Sequence, residues 1–209
     1  MSEQPLEEPI RVVGFCGSLR TGSYSRMAIN IALQGAAEMG ADTNTIDLGD
    51  YDLVFCDGRH DKTTYPEGVQ RLRRDVKSAQ GIIIGTPEYH GSISGVLKNA
   101  LDLMGFDEFE GRMLGLIGVS AGMMGAVHPL NSLRTIGRAL RAWVIPQQVI
   151  IPQAWKIFDQ QGNLQDEALE QRLKDIGREV TRFAYLHHYH KTREFLNLWE
   201  TAQPNPGAE

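Results

Sequence analysis

Cysteine is scarce: Cys16 and Cys56 are the only two in 209 residues. Two cysteines make no disulfide framework, and theirs is not a metal-site spacing, so both read as reduced thiols of a cytoplasmic protein. Basic charge is also short. Lys and Arg number 21 against 26 Asp and Glu, a formal net charge of −5, whereas a nucleic-acid surface needs a basic excess. No apolar run approaches the roughly 20 residues that span a bilayer. The acidic, polar opening MSEQPLEEP is unlike a signal or transit peptide. Internal repeats and low-complexity tracts are absent. What is left is an ordinary globular composition, 42% hydrophobic and 22% charged, suited to one α/β domain and short for two.

Three well-known phosphate motifs are missing as well. Gly17 and Gly22 have the P-loop spacing, but Ser23 stands where a lysine is required. Gly14 and Gly17 are spaced as GxxG, so the dinucleotide fingerprint GxGxxG is not met. A cysteine phosphatase needs Arg six residues after its nucleophile; Cys16 has Gly22 there, and Arg20 lies only four away. Present instead is GFCGSLRTGSYSR, residues 14–26, between an apolar strand and the start of a helix. It carries the hydroxyls of Ser18, Ser23 and Ser25, the cations Arg20 and Arg26, and the small residues Gly17 and Gly22. Small residues let backbone amides approach an anion, the helix adds free N–H groups and its dipole, and arginine supplies a forked donor. Such a loop holds a terminal phosphate without reacting with it.

Strand and helix signals alternate along the chain, as a parallel sheet covered on both faces requires. Strands are predicted at Ile10–Cys16, Thr43–Leu48, Gly81–Thr86, Met113–Ser120 and Trp143–Ile151. The third is a continuous apolar run, as a central strand should be, and Pro146 marks the fifth as an edge strand or a bulge. Helices are predicted at Tyr24–Met39, Glu67–Ala79, Gly91–Met104, Gly125–Ala142 and Asp166–His190, where Glu170 and Lys174 form an i,i+4 pair. Five such units fit an α/β, flavodoxin-like, doubly wound five-stranded parallel sheet of order 2-1-3-4-5. Ligands of that sheet sit at the carboxyl ends of the strands beside the switch point, between strands one and three. The hydroxyl-rich loop follows strand one, and the turn TPEYHG follows strand three.

GSLRxxSxSR after the first strand, TPEYHGSISGVLKNALD after the third and SAGMMG after the fourth together resemble the NADPH-dependent FMN reductase family, which includes quinone, chromate and azo-dye reductases. The resemblance spans roughly Arg11 to Pro152. It implies FMN as bound cofactor, NADPH (NADH possible) as reductant, and small electron acceptors: quinones, azo dyes, chromate or ferric complexes. It implies a homodimer or homotetramer. The layout is then a flexible segment 1–9, a flavodoxin-like FMN-binding domain 10–190 and an extension 191–209 with a partly disordered tail.

The resemblance places the FMN phosphate on Gly17, Ser18, Leu19, Arg20, Ser23, Tyr24 and Ser25, where the family usually has Asn in place of Ser25. Arg26 either joins them or pairs with an acid on the helix. Pro87, Glu88, Tyr89, His90 and Gly91 would lie along the isoalloxazine, with backbone N–H groups toward its polar edge, where fixed dipoles tune a flavin's potential. The family commonly has Asn at His90, which here either packs half-buried or couples a proton to reduction. Ser120 and Gly122 would close the pyrimidine end. Met123 and Met124, where relatives carry more glycine, either narrow the pocket or face a neighbouring subunit. Hydride transfer through a flavin needs no protein nucleophile, so no side chain is assigned a catalytic role.

A flavodoxin-like electron carrier and a flavin-dependent sensor are the competing classes; the loop arginine speaks against the carrier. Lys98 and Asn99 read as structural. His187, His188 and His190 lack a partnering acid or thiol and read as a solvated helix end. The loop Gly49–Pro66, with Asp50, Asp52, Asp57 and Asp61, lacks calcium spacing and reads as a solvated loop at the flavin edge. Phe183, Tyr185, Tyr189, Phe195 and Trp199 point to an oligomer contact. Arg20, Arg59, Arg112 and Arg134 are the cations available to a nucleotide 2′-phosphate.

Overall fold

The computed structural model describes residues 9–159 and 161–188. Strand and helix alternate as β1 (Arg11–Cys16), α1 (Tyr24–Glu38), β2 (Asp42–Asp47), α2 (Glu67–Lys77), β3 (Gly81–Pro87), α3 (Gly95–Asp102) and α4 (Phe106–Phe109), then β4 (Met113–Val119), α5 (Val127–Ala139), β5 (Trp143–Ile151), α6 (Ala154–Ile157) and α7 (Glu167–His188). All pairings are parallel, in the order β2-β1-β3-β4-β5. This is the flavodoxin-like sheet expected from the sequence. The order reverses between β1 and β3, so their carboxyl ends flank a crevice.

Alternation along the strands separates two cores. Val12, Cys16, Ile83, Ile117 and Val149 turn toward α1 and α7; Val13, Phe15, Ile82, Ile84, Leu114 and Leu116 turn toward α2, α3 and α5. β3 and β4 are buried almost end to end, because helices cover them on both faces. α1 and α7 approach closely through two glycines. A Cβ on Gly35 would stand 2.0 Å from the Lys174 carbonyl oxygen, and one on Gly177 would stand 1.8 Å from that of Ala32. Glu170 and Lys174 pair at 2.9 Å on α7.

β5 is both an edge strand and bulged: its register with β4 shifts between Leu114 and Leu116. Pro146 sits in the bulge, and Arg134 of α5 reaches over to satisfy it, donating to Gln148 Oε1 (2.8 Å) and to the carbonyls of Ile145 (3.1 Å) and Pro146 (2.8 Å).

Helix boundaries differ from expectation chiefly after β3. α3 begins at Gly95, not Gly91, since residues 89–92 close a tight turn and Ser94 caps the helix by accepting from Leu97 N–H (3.3 Å). The 49–66 loop is also less free than its charge suggests. Asn99 donates to the Val54 carbonyl (3.0 Å) and accepts from Cys56 N–H (2.9 Å), while Lys62 Nζ donates to the Met104 carbonyl (2.7 Å). Asn99 is therefore structural, as expected. His190, Tyr189, Phe195 and Trp199 lie outside the described residues. No described helix is long and apolar enough to cross a membrane.

Candidate functional site

The β1–α1 loop is pulled against β3 by backbone. Gly17 N–H donates to the Gly85 carbonyl (2.8 Å) and Gly17 O accepts from the Ser94 hydroxyl. A Cβ on Gly17 would meet that same Gly85 oxygen at 3.1 Å and Leu97 at 3.0 Å, which is why the loop begins with glycine. Ser18 Oγ accepts from Arg20 N–H (3.3 Å) and turns the chain. Ser23 then caps α1, accepting from Arg26 N–H (3.3 Å). The amides of Tyr24 and Ser25, in the first helical turn, have no intrahelical acceptor. Ser18, Ser23 and Ser25 are all buried. Cys16 lies beneath, its thiol donating to the Ser18 carbonyl (3.6 Å). Burial pushes that thiol's pKa up, so it remains protonated and acts as a packing group.

The four arginines singled out above are sorted by their partners. Arg59 is bound to Asp57 and lies over the Tyr65 ring, Arg112 donates to the Lys77 carbonyl (3.0 Å) at the far end of the sheet, and Arg134 holds the β5 bulge. Arg20 alone of the four lines the crevice, and its guanidinium has no ion pair among the described residues. Arg26 is committed elsewhere. It pairs with Asp47 at the end of β2, not with an acid on its own helix, and donates to the carbonyls of Arg20 (3.2 Å) and Thr21 (3.1 Å). It braces the loop from behind.

The crevice is a cleft of about 270 Å³ lined by Ser18, Arg20, Gly22, Ser23, Tyr24, Ser25, Pro87, Glu88, Tyr89, Val119, Ser120, Ala121, Ala154 and Trp155. It thus brings together nine of the fourteen residues assigned to FMN in the sequence, from three loops. Gly17, Leu19, His90, Gly91 and Gly122 are not in its wall. Leu19 instead faces a neighbouring hollow of about 550 Å³, together with Tyr51, Leu53, Phe55 and Val96. None of residues 49–66 lines the cleft.

His90 is exposed, not half-buried. With Gly91 it forms the two central positions of a turn closed by Tyr89 N–H to Ser92 O and Ser92 N–H to Tyr89 O (both 3.0 Å), at φ 52° and 76°. Two consecutive positive φ angles are what a type I′ turn demands, and Asn-Gly serves it best. The departure from Asn here is therefore a matter of backbone conformation. Glu88 N–H is taken by the Val119 carbonyl (2.9 Å), so the free amides of this segment are those of His90 and Gly91. Met123 and Met124 stand out into solvent, 81% and 91% exposed, and do not narrow the cleft.

The sequence reading missed Ala154 and Trp155. They come from the turn after β5, which carries no glycine-rich or hydroxyl-rich signature; an isolated aromatic three residues beyond Pro152 was the only signal. Gly22, Val119 and Ala121 are neighbours of residues already chosen.

The sequence matches the family described as NADPH-dependent FMN reductase over residues 10–156. The chain belongs to this family. Its cofactors are FMN and NADPH. It is 31% identical over 192 residues to the NADPH-dependent FMN reductase ArsH of Shigella flexneri, covering 90% of this chain and 73% of the relative. It is 32% identical over 183 residues to the NAD(P)H-dependent FMN reductase PA1204 of Pseudomonas aeruginosa, with coverages of 82% and 95%. An FMN-dependent NADPH-azoreductase of Staphylococcus saprophyticus is 34% identical over 137 residues, covering 64% and 72%. Among solved structures, the FerB NAD(P)H:acceptor oxidoreductase of Paracoccus denitrificans superposes with a TM-score of 0.67 at 22% identity, over 85% of this chain and 98% of that one. An archaeal flavodoxin superposes at 0.59 and 12% identity, over 84% and 99%; both likenesses concern the fold.

The cleft fits FMN by its donor set. Its lining combines a guanidinium with no ion pair among the described residues, three serines and a helix start, matched to a dianionic phosphate, with proline, tyrosine, tryptophan and small residues, matched to a flat ring.

Proposed function

We propose that the protein is an FMN-dependent NAD(P)H oxidoreductase that uses NADPH, with NADH a possible substitute, and passes electrons to quinone-like compounds, azo dyes, chromate or ferric complexes. The observation that carries the reading is the cleft itself, which gathers Arg20, without an ion pair among the described residues, and the α1 start together with the Pro87–Tyr89 and Ser120–Ala121 segments. Bound FMN supplies the two-electron chemistry between nicotinamide and acceptor.

The chain's own part is binding, orientation and charge. Ser18, Arg20, Ser23 and Ser25, with the amides of Tyr24 and Ser25, hold the phosphate. Pro87 fixes the entry of the β3 loop, and the free amides of His90 and Gly91, on the turn just beyond the cleft wall, are the donors this segment would offer the ring's polar edge. A ring that gains negative charge on reduction is stabilised by such fixed dipoles without reorganisation. Neither Glu88 nor His90 is required as an acid or base. Azo acceptors are supported by the relatives that bear the name azoreductase. Assembly with a second copy, as homodimer or homotetramer, is supported by the exposed Leu19 and by Phe55, which is 87% exposed, around the hollow beside the cleft. Two free cysteines support a cytoplasmic setting.

Anaerobic titration of the FMN-loaded protein with NADPH tests the reading. Bleaching of the visible flavin band is the expected result. A bound flavin that stays oxidised with both NADPH and NADH would favour an electron carrier or a flavin-dependent sensor.

A further inference from the structure

The turn after β5 is built with more care than a connection needs. Gln153 adopts φ 45° and ψ 45°, the left-handed region that a non-glycine residue enters only under constraint. The constraint is visible. Gln153 N–H donates to the Gly122 carbonyl (3.2 Å) and Ala154 N–H to the Ser120 carbonyl (3.1 Å), so the turn is tied to the loop after β4. Its far side is fixed as well: Ala154 is buried, and Phe158 stacks on Tyr24 of the phosphate loop with ring centroids 5.4 Å apart and planes inclined by 20°. α6 is a single turn of four residues, too short to contribute much packing of its own.

What this rigid turn presents is Trp155. Its indole lines the cleft yet remains 57% exposed, and Lys156 Nζ lies 5.0 Å from its ring centroid. A tryptophan that packs for stability is buried; one that is held by its backbone and left bare inside a cleft is a contact surface for a flat ligand.

We propose that Trp155 is a flavin-contacting residue, with the left-handed turn at Gln153 as the device that aims it. This rests on the reductase reading above. Burying the indole against the flavin explains why strain at Gln153 is tolerated and why the ring is not folded back onto the protein.

The test is an FMN titration of the apoprotein, followed by quenching of flavin fluorescence, for wild type, Trp155→Ala, Trp155→Phe and Trp143→Phe. Thermal unfolding of each apoprotein is recorded in parallel. Aromatic stacking of this kind predicts a dissociation constant about 5- to 20-fold higher in Trp155→Ala and changed less than about threefold in Trp155→Phe. Trp143→Phe, at the opposite end of β5, should match wild type, and the apoprotein Tm should be the same for all four. A dissociation constant for Trp155→Ala within twofold of wild type overturns the assignment while leaving the reductase reading intact. So does weakened binding accompanied by a matching loss of apoprotein Tm, which would make Trp155 a packing residue. Wild-type protein that binds no FMN removes both.

Discussion

Arg20, in the β1–α1 loop, and Arg26, six residues on in the first turn of α1, do opposite jobs. The Arg20 guanidinium has no partner among the described residues and lines the cleft; Arg26 is spent on Asp47 and on two carbonyls of the loop. Arg20→Ala should weaken FMN binding by roughly 1.5–3 kcal/mol, the range of a charge-assisted contact. Equal FMN affinity in wild type and mutant would take Arg20 out of the site. Arg26→Met should loosen the loop without removing a ligand to the phosphate. In a double-mutant cycle with Asp47→Asn, the two changes should couple in FMN affinity by about 0.5–3 kcal/mol; additivity would show that the pair does not hold the loop. The hydroxyls and Arg20 were legible in the sequence because their chemistry and spacing advertise a phosphate. Arg26's partner was not, since β2 brings Asp47 to the loop only once β1 and β2 have paired.

Among the elements, the α1–α7 contact is the tightest constraint. Gly177→Ala would gain about 1 kcal/mol in helix propensity. The added methyl, however, would sit 1.8 Å from the Ala32 carbonyl oxygen, and neither backbone can yield alone. The net effect should be a destabilisation of about 1–3 kcal/mol, read as a lower denaturant midpoint at unchanged slope. An unchanged or raised midpoint would mean that the helices separate freely. The helices and strands themselves were readable because apolar residues recur at helical spacing or in short runs. The start of α3 was not: the helix was expected from Gly91, directly after the turn TPEYHG, but positive φ at both His90 and Gly91 and the Tyr89–Ser92 bridge prolong that turn, and the helix begins at Gly95. The β5–α6 turn was missed for a different reason. Its conformation depends on hydrogen bonds to Gly122 and Ser120, which no local pattern records.

At the scale of the whole molecule, a buried thiol and a half-buried phenol govern behaviour in alkali. Tyr51 is pushed from 10.0 up to about 12, first by burial and then by its hydrogen bond to Asp75 (2.7 Å), and burial raises Cys16 above 9.0. Groups whose folded-state pKa is raised contribute stability that is complete below the unfolded value and lost as pH climbs toward the folded one. Stability should therefore begin to fall near pH 9 and continue falling to about pH 12. Tyr51→Phe should flatten the part between about 10 and 12, as read by urea denaturation at stepped pH; an identical slope in the variant would dissociate Tyr51 from the effect. The sheet order was readable at this scale because five apolar strands alternate with helices and the phosphate loop can follow only the first. The two borders of that sheet carry a further consequence. On one, Pro146 interrupts the row of donors within the bulge while Arg134 occupies its carbonyls. On the other, β2 begins and ends in aspartate. Neither border offers an incoming strand a clean ladder to extend. Both borders are thereby guarded against fibre-like growth even when the protein is crowded, and neither is a place for two copies to join strand to strand.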